Sequence, residues 1–497
     1  MNTKPEIQIV WLKRDLRLED NEALVNALHS EKRVLLLYLF EDLLLNDPHY
    51  SKRHWDFIKQ SLIHLNNQLE PYLSKVLIVK SDIIAAINQL LSKFQIKQVY
   101  SHQETGILAT YNRDKSFKRF CKNNFITWHE SINNGVIRGL KDREHWLEKS
   151  DNYFETKPLP FLPKKNQLLS IEEVSELEPL FATLSLHTNM TTPFQKGGRD
   201  MALKYLKSFF EERHQNYVFH ISKPELARFS CSRLSPYLAW GNVSIREVYH
   251  YAQEKKHLSK HKKSVEAFIS RLRWQSHFVQ KFEMEHTMEE ESINQGFQKL
   301  KKEVSEDFQK AWKTGQTGFP LIDACMRCLN ETGYLNFRMR ALVVSFFTHN
   351  LWQPWQDASK HLSQMFLDFE PGIHFPQLQM QAGETGTNML RIYNPVKNSL
   401  EHDPDAVFIK KWVPELKHLE IPFCHEPYLM TELDQAFSNF KLGEHYPFPI
   451  VNLKETRKKA SDTLWSMRKN SQVTKEGKRI LKKHTKPLLK ENASRKN

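Results

Sequence analysis

The segment from residue 315 to residue 352 has an apolar helical pattern that carries two arginines into what should be the protein interior. Pro320 is typical of a first helical position and Gly333 of a C-terminal cap, so the segment predicts one helix between them and a second helix after it. Arg338 and Arg340 lie in the second helix. Because they are two residues apart, they are separated by about 200° around the helix axis and cannot share a partner. We therefore expect one of them to face the protein interior.

An arginine among buried apolar side chains needs a carboxylate, because an unpaired internal charge costs several kcal/mol. The nearest candidates along the chain are Asp368 and Glu370, in the segment SQMFLDFEPG. The alternative is that both arginines extend along the surface and keep their guanidinium groups in water. The pattern thus predicts either a buried arginine–carboxylate pair or two exposed arginines.

Length and composition indicate a globular protein with more than one core. A chain of 497 residues with 40% hydrophobic content exceeds one ordinary domain. Its apolar runs, such as residues 34–40, are too short to cross a membrane, and its N-terminus lacks the apolar region of a signal peptide, so we expect a cytoplasmic protein. Five cysteines fit a reducing compartment. Cys325 and Cys328 form a CxxC on one helix face, which we interpret as core packing, with a metal or redox site as the alternative.

The positive charge is concentrated at the C-terminus. The net charge is +14, and residues 457–497 contain 14 Lys and Arg against 3 Asp and Glu. Such a segment suggests contact with nucleic acid or another polyanion, although a solvated end is the alternative.

The order of patterns along the chain predicts two domains. Short β-branched runs alternate with helical patterns over residues 1–131, which indicates a doubly wound α/β domain with a parallel sheet. The chain has no GxGxxG motif, so a dinucleotide bound in the Rossmann manner is not expected there. Residues 132–199 are predicted to be an interdomain linker, residues 200–456 a larger all-α domain, and residues 457–497 a basic tail.

The segment CSRLSPYLAWGNVS at residues 231–244 suits an anion. It places Ser232, Arg233 and Ser235 just before a helix predicted to begin near Pro236, where backbone amides can bind a phosphate. Ser235 can instead be an ordinary N-cap.

Three tryptophans stand out in the helical half. Trp274 lies in an amphipathic helix with phenylalanines nearby, and we interpret it as core packing. Trp352 and Trp355 flank a proline and are interpreted as structural, unless a redox cofactor makes them electron carriers.

Four motifs in order resemble the photolyase/cryptochrome family over nearly the whole chain: WLKRDLRLEDNEAL, SRLSPYLAWG, TGFPLIDACMRCLNETGYLNFRMR, and TGTNMLRIYNPVKNSLEHDPDAVFIKKWVPEL. The resemblance implies an α/β domain that can hold an antenna chromophore and an all-α domain that binds a U-shaped FAD. It also implies a monomeric DNA lyase that uses blue light to repair UV pyrimidine photoproducts flipped out of DNA.

The family's functional residues transfer to numbered positions of this chain. The resemblance places the flavin phosphates at residues 231–235, an Arg340–Asp368 pair beside the isoalloxazine, Trp274 against the damaged bases, and Trp355 in the photoreducing tryptophan chain. The implied cofactor-binding residues are Tyr217, Cys231, Ser232, Arg233, Leu234, Ser235, Gln275, Arg340, Asp368 and Glu370. The implied catalytic residues are Trp274, Arg338, His374 and Trp355.

The chain also departs from the family pattern. Arg271 replaces a lesion-contacting glutamate, Gln275 replaces an arginine, Phe337 replaces an asparagine, and the flavin-proximal tryptophan region reads QLQMQAG. His374 stands near the position of a flavin-facing asparagine and could donate a proton during repair of a (6-4)-type product. We therefore expect weak or absent activity on cyclobutane dimers, with a cryptochrome-like blue-light sensor that signals to a partner as the alternative function.

Overall fold

The computed structural model describes residues 4–182, 184–188 and 193–485. The first domain is a five-stranded parallel sheet in the order β3-β2-β1-β4-β5. Its strands are β1 (Glu6–Leu12), β2 (Arg33–Phe40), β3 (Leu77–Lys80), β4 (Gln95–His102) and β5 (Thr127–Ser131). The helices of this half are α1 (Glu22–Leu28), α2 (Asp42–Leu45), α3 (Lys52–Leu69), α4 (Ile83–Leu91), α5 (Leu108–Asn123), α6 (Trp146–Glu155) and α7 (Ile171–Leu177).

The second half is helical. Its helices are α8 (Arg199–Glu211), α9 (Tyr217–His220), α10 (Pro224–Ser230), α11 (Ser235–Ala239), α12 (Ile245–Leu258), α13 (Lys262–Met284), α14 (Glu306–Thr314), α15 (Pro320–Thr332), α16 (Phe337–Ser345), α17 (Trp355–Met365), α18 (Pro371–Gln381), α19 (Pro395–His402), α20 (Val407–Trp412), α21 (Glu432–Phe437), α22 (Leu453–Arg468) and α23 (Ser471–His484). The predicted α/β domain followed by a larger helical domain is confirmed. Within the described ranges, no helix combines the length and apolar character needed to cross a membrane.

The sheet is buried on both faces because helices cover each side. Alternate side chains of β1 enter different clusters: Ile9 and Trp11 pack on one face, and Val10 and Leu12 on the other. This explains why β1 and β2 read as continuous apolar runs, as buried parallel strands do.

The central arginine-bearing stretch folds as its pattern predicts. Helix α15 begins at Pro320 and is capped by Gly333 at φ +68°, in the left-handed region that glycine adopts without strain. Helix α16 follows and continues into a π-helical turn over Phe346–Asn350. Cys325 and Cys328 are fully buried in the apolar core, so the packing interpretation of the CxxC is confirmed.

The structure differs from two predicted boundaries. The predicted linker over 132–199 contains α6 and α7 and folds back on the sheet, where Val174 and Leu177 join the core. Residues 457–468 and 471–484 of the predicted tail lie in α22 and α23, which bury Leu464 and other apolar residues. High charge concealed this apolar face in the sequence. Residues 486–497 lie outside the described residues.

Buried charges connect the two domains. Asp20, in the loop after β1, pairs with Arg246 of α12, and the Ser244 hydroxyl also donates to its carboxylate. Burial alone would raise the pKa of Asp20, but the hydrogen bonds from Arg246 and Ser244 outweigh this effect and the pKa is lowered. The charged pair is therefore the stable state at neutral pH.

Helices α13 and α18 cross at a glycine. A Cβ atom built on Gly372 would lie 2.8 Å from the Cα atom of Val279, closer than real Cβ contacts allow. The backbones of the two helices are thus in direct contact at this point.

We predict that Asp20→Asn lowers the free energy of unfolding by about 3–5 kcal/mol, because the buried Arg246 charge loses its partner. Asparagine tolerates the positive φ of residue 20, so the backbone is not strained. Urea denaturation measures the change. Glu31→Gln is the control, since it breaks an exposed pair with Lys164 and should cost less than about 1 kcal/mol. Equal losses in the two variants would contradict a structural role for the buried pair.

Candidate functional site

A cavity of about 870 Å³ lies in the helical domain. Its walls come from α11, α13, α16, α18 and α23, with the segment before α18 forming another side. Most of its surface is apolar, and the apolar lining includes Phe278, Leu335, Ala341, Val344, Leu362, Phe366 and Leu378. A cavity of this size and character can enclose a cofactor-sized aromatic ligand.

Arg340 and Asp368 meet in the cavity wall. The Arg340 Nη2 atom lies 2.8 Å from Asp368 Oδ2, its Nε donates to the Leu335 carbonyl at 2.8 Å, and its guanidinium stacks on Phe366. Burial would raise the pKa of Asp368, but the Arg340 charge and hydrogen bonds from Arg340 and Ser235 hold it below its usual value. The predicted arginine–carboxylate pair is confirmed, and the alternative of two exposed arginines is wrong for Arg340.

Two acceptor atoms at the cavity have no donor in the described chain. Asp368 Oδ1 and Asn336 Oδ1 are both buried without a hydrogen-bond partner. Leaving a buried acceptor unsatisfied costs about 1–3 kcal/mol. An isoalloxazine ring carries an N–H donor, so these two oxygens and the apolar walls fit a flavin.

The segment 231–235 enters the cavity only at its ends. Cys231 and Ser235 line it, whereas Leu234 packs in the core and Arg233 stacks on Tyr334 at 3.7 Å. Ser232 does not belong to the lining either, and Arg213 donates to its carbonyl at 3.2 Å.

The capping interpretation of Ser235 is also wrong. Leu234 takes the N-cap position of α11, no side chain caps this helix, and Ser235 instead contributes to lowering the pKa of Asp368.

Trp274 is not a core residue. Its side chain is 48% exposed, lines the cavity and stacks on Phe278 with ring centroids 5.7 Å apart. Arg271 and Gln275 also line the cavity from α13, and the Arg271 guanidinium lies 6.0 Å from the Phe337 ring. The packing interpretation failed because the cavity replaces the core on this face of α13.

His374 lines the cavity as a neutral imidazole. Its Nε2 lies 3.1 Å from both the hydroxyl and the carbonyl oxygen of Ser359. Since a carbonyl only accepts, Nε2 carries the proton and Nδ1 is left unprotonated. Burial lowers the pKa of His374 to about 3. Tyr217 is another lining residue, and burial raises its pKa.

Three residues implied by the resemblance have other environments. Trp355 is fully buried outside the lining, and its indole N–H donates to Ser292. Arg338 also lies outside the lining, and its Nη1 donates to the Tyr393 hydroxyl at 3.2 Å. Glu370 lines the cavity, but its partner is Arg14 at 3.5 Å.

Sequence reasoning missed one end of the cavity. His277 and Lys281 line it from α13, and His484 lines it from α23. The spacing of Trp274, His277 and Lys281 follows one helix face and could have revealed the two residues of α13.

Comparison with known proteins agrees with this geometry. Residues 268–466 match the model of the FAD binding domain of DNA photolyase, and residues 8–138 match the DNA photolyase model. The chain is 31% identical to the deoxyribodipyrimidine photo-lyase of Streptomyces griseus, over 91% of this chain and 97% of that protein. It is 27% identical to Cryptochrome DASH of Gloeobacter violaceus, over 91% and 94%.

A solved structure shows the same fold. The cryptochrome of Synechocystis sp. PCC6803 superposes with a TM-score of 0.81 at 22% identity, covering 93% of this chain and all of that one. The cavity and the match to the FAD-binding model define a flavoprotein. The chain belongs to the photolyase/cryptochrome family, and its helical half is an FAD-binding domain.

We predict that Arg340→Ala loosens the flavin. Removing the guanidinium leaves the buried Asp368 carboxylate uncompensated, at a cost of about 3–5 kcal/mol. The ratio of FAD to protein after extensive dialysis measures retention. Arg338→Ala is the matched control, because it removes the same group two residues away, outside the cavity lining. Equal flavin loss in the two variants would contradict the site.

Proposed function

We propose that the chain is an FAD-dependent, blue-light-driven photolyase that acts on a UV pyrimidine photoproduct in DNA. The observation that carries the proposal is one cavity with the Arg340–Asp368 pair in its wall and the exposed Trp274 in its lining. FAD supplies light absorption and a transferable electron when bound. The residues of this chain hold that cofactor and present the damaged bases to it.

The proposed flavin contacts combine hydrogen-bond acceptors, a hydrogen-bond donor and apolar side chains. Asp368 and Asn336 offer acceptor oxygens, Arg340 offers a guanidinium, and the apolar walls exclude water. Ser235 and Cys231 lie in the same lining and could contact the rest of the cofactor. We assign no cofactor contact to Ser232, Arg233 or Leu234.

Trp274 and Arg271 are proposed to receive the flipped bases. Extruding a base costs a few kcal/mol, and stacking on an exposed aromatic ring offsets this cost. Arg271 adds donors where a carboxylate would add acceptors, which favours a lesion rich in acceptor oxygens. His374 does not suit the proton-donor role that its position suggests, because its imidazole is neutral and its Nε2–H is directed to Ser359.

The second candidate function is a blue-light sensor. It is favoured by the replacement of the carboxylate at Arg271, which removes an acceptor for base N–H groups. The similarity to Cryptochrome DASH agrees with either function. A sensor would keep the flavin and lack turnover.

A second chromophore in the α/β domain remains a prediction. The cavity at the carboxyl ends of β1 and β4, lined by His102 and Glu104, measures about 20 Å³. This volume holds one water molecule and no antenna pigment. An antenna would therefore need another part of the domain.

DNA contact is proposed for α22. Lys454, Arg457 and Lys458 are exposed there and line a groove with Tyr393 and Asn394. Removing residues 457–497 would also remove packed helices, so substitution tests this surface better than truncation does.

We predict that the combined change Lys454→Ala, Arg457→Ala and Lys458→Ala flattens the salt dependence of DNA binding. Each phosphate contact that is lost makes the negative slope of log K against log salt shallower by about 0.9 on duplex DNA. Fluorescence anisotropy at several salt concentrations measures the slope. Lys118→Ala, Arg119→Ala and Lys122→Ala in α5 form a control with equal charge loss. An unchanged slope in the α22 variant would exclude this surface as a DNA contact.

We predict that chemically pre-reduced protein repairs one photoproduct under blue light and turns over cyclobutane dimers weakly or not at all. Oligonucleotides carrying each lesion separately are illuminated and analysed by chromatography. Pre-reduction removes any dependence on a tryptophan chain. No turnover of either lesion would leave the sensor, and fast cyclobutane-dimer repair would show that Arg271 does not set specificity.

An additional variant makes the specificity test sharper. Arg271→Glu restores an acceptor and should increase cyclobutane-dimer turnover. Lys263→Glu makes the same charge change at an exposed position of α13 and serves as the control.

A further inference from the structure

The end of the cavity that lies between α13 and α23 carries positive charge with few counterions. His277 and Lys281 extend into it from α13, and His484 from α23. Arg143 lies behind His277, and we call these four residues the cationic end of the cavity.

Lys281 is the unusual member. Its side chain is nine-tenths buried and lines the cavity. Among the residues that the structure describes, its ammonium group makes no hydrogen bond or salt bridge. Burial lowers the pKa of Lys281 to about 8, so the charged form still predominates at pH 7. An unpaired buried ammonium group is costly unless a ligand supplies the missing acceptor.

His277 offers a second donor. The Arg143 Nη1 atom lies 2.8 Å from His277 Nδ1, and a guanidinium can only donate. Nδ1 is therefore unprotonated and Nε2 carries the proton. Burial, with the nearby Arg143 charge, lowers the pKa of His277 to about 3, so the ring stays neutral. Because 277 and 281 are four residues apart, the Nε2–H and the Lys281 ammonium lie on one helix face.

The carboxylates near the cationic end of the cavity are already paired with other basic side chains. Glu285 accepts from Arg479 and forms a salt bridge of 2.9 Å with Lys483. Glu476 accepts from Arg479 at 2.8 Å. Glu285 also lies 3.4 Å from His484 Nε2, and its charge acts on Lys281, where it opposes the lowering of the pKa by burial. Within the described ranges, Arg143 and Lys281 form no salt bridge with a carboxylate, so the group keeps an excess of about two positive charges.

We propose that the cationic end of the cavity is a phosphate subsite, with Lys281 and the His277 Nε2–H as its donors. A phosphate monoester carries a charge of about −1.5 to −2 at pH 7, which matches the local excess. The subsite differs from the segment 231–235 suggested for the flavin phosphates. Cys231 lies near Arg271, which is ten residues and about 15 Å along α13 from Lys281.

The phosphate has two possible sources, a DNA backbone that enters the cavity or a free phosphate compound. The DNA source rests on the proposed function, whereas binding of a free phosphate does not. Phosphate from either source would be bound by the same two donors of the protein, so one set of variants tests both sources.

The test uses flavin-loaded protein and inorganic phosphate, with sodium chloride at matched ionic strength to account for screening. We expect phosphate to raise the melting temperature of the wild type saturably. Lys281→Met should raise the melting temperature without phosphate, because a buried charge is removed, and should weaken phosphate binding at least tenfold. His277→Phe keeps a ring and loses the donor, so it should weaken phosphate binding severalfold.

Lys482→Met, at an exposed position of α23, is the matched control and should bind phosphate like the wild type. An oligothymidylate of five nucleotides with a 5′-hydroxyl group forms the second arm. If its affinity also depends on Lys281, the DNA backbone is the source. If it does not, a free phosphate compound is the source.

Two results would overturn the subsite. One is a phosphate response equal to that of sodium chloride, or equal in the wild type and Lys281→Met. The other is flavin loss in Lys281→Met together with no phosphate binding to the holoprotein, which would place the cofactor's own phosphates at this end. Failure of the proposed function would differ, since it would appear as absent flavin or absent lesion turnover with phosphate binding intact.

Discussion

The buried guanidinium of Arg14 connects the sheet domain to the cavity, and the geometry of the site depends on it. Its Nε donates to the Ala239 carbonyl at 3.1 Å, and its Nη2 donates to the Phe369 carbonyl at 2.5 Å and pairs with Glu370. The Trp240 ring covers the group. Phe369 and Glu370 follow Asp368 directly. Arg14, a residue of the first domain, therefore holds in place the segment that carries the Asp368 carboxylate of the cavity. Arginine remains protonated at every accessible pH, which suits such a permanent anchor.

Sequence reasoning succeeded where burial and charge conflict. An apolar helix cannot hold a lone guanidinium, so the pattern alone required a carboxylate, Asp368 or Glu370, for one of the two arginines. The family resemblance then selected Arg340 and Asp368. It failed where the outcome depends on distant packing. Trp274 looks like a core residue on its own helix, and only the cavity on that face makes it exposed. Apolar residues such as Leu464 are few among the lysines of α22 and α23. The high charge therefore led to the prediction of a basic tail where two packed helices lie.

The departures from the family pattern lie on three helices that line the cavity. Arg271 is in α13, Phe337 begins α16, and the QLQMQAG segment brings Leu378 and Met380 of α18 into the lining. The Arg271 guanidinium lies 6.0 Å from the Phe337 ring, so two of the changed positions are neighbours. Phe337 is three residues from Arg340 in α16, and the changes therefore reach the wall that carries the Arg340–Asp368 pair.

The crossing of α13 and α18 at Gly372 has a consequence for binding. Two helices in backbone contact cannot move closer, so the gap between their ends is set before any ligand arrives. A cavity that is already formed does not have to be ordered when a planar ring binds. The ring therefore binds more tightly than it would to a pocket that must first rearrange, with the same contacts. Gly372 thus sets the distance between α13 and α18, because any side chain at this position would force the two helices apart.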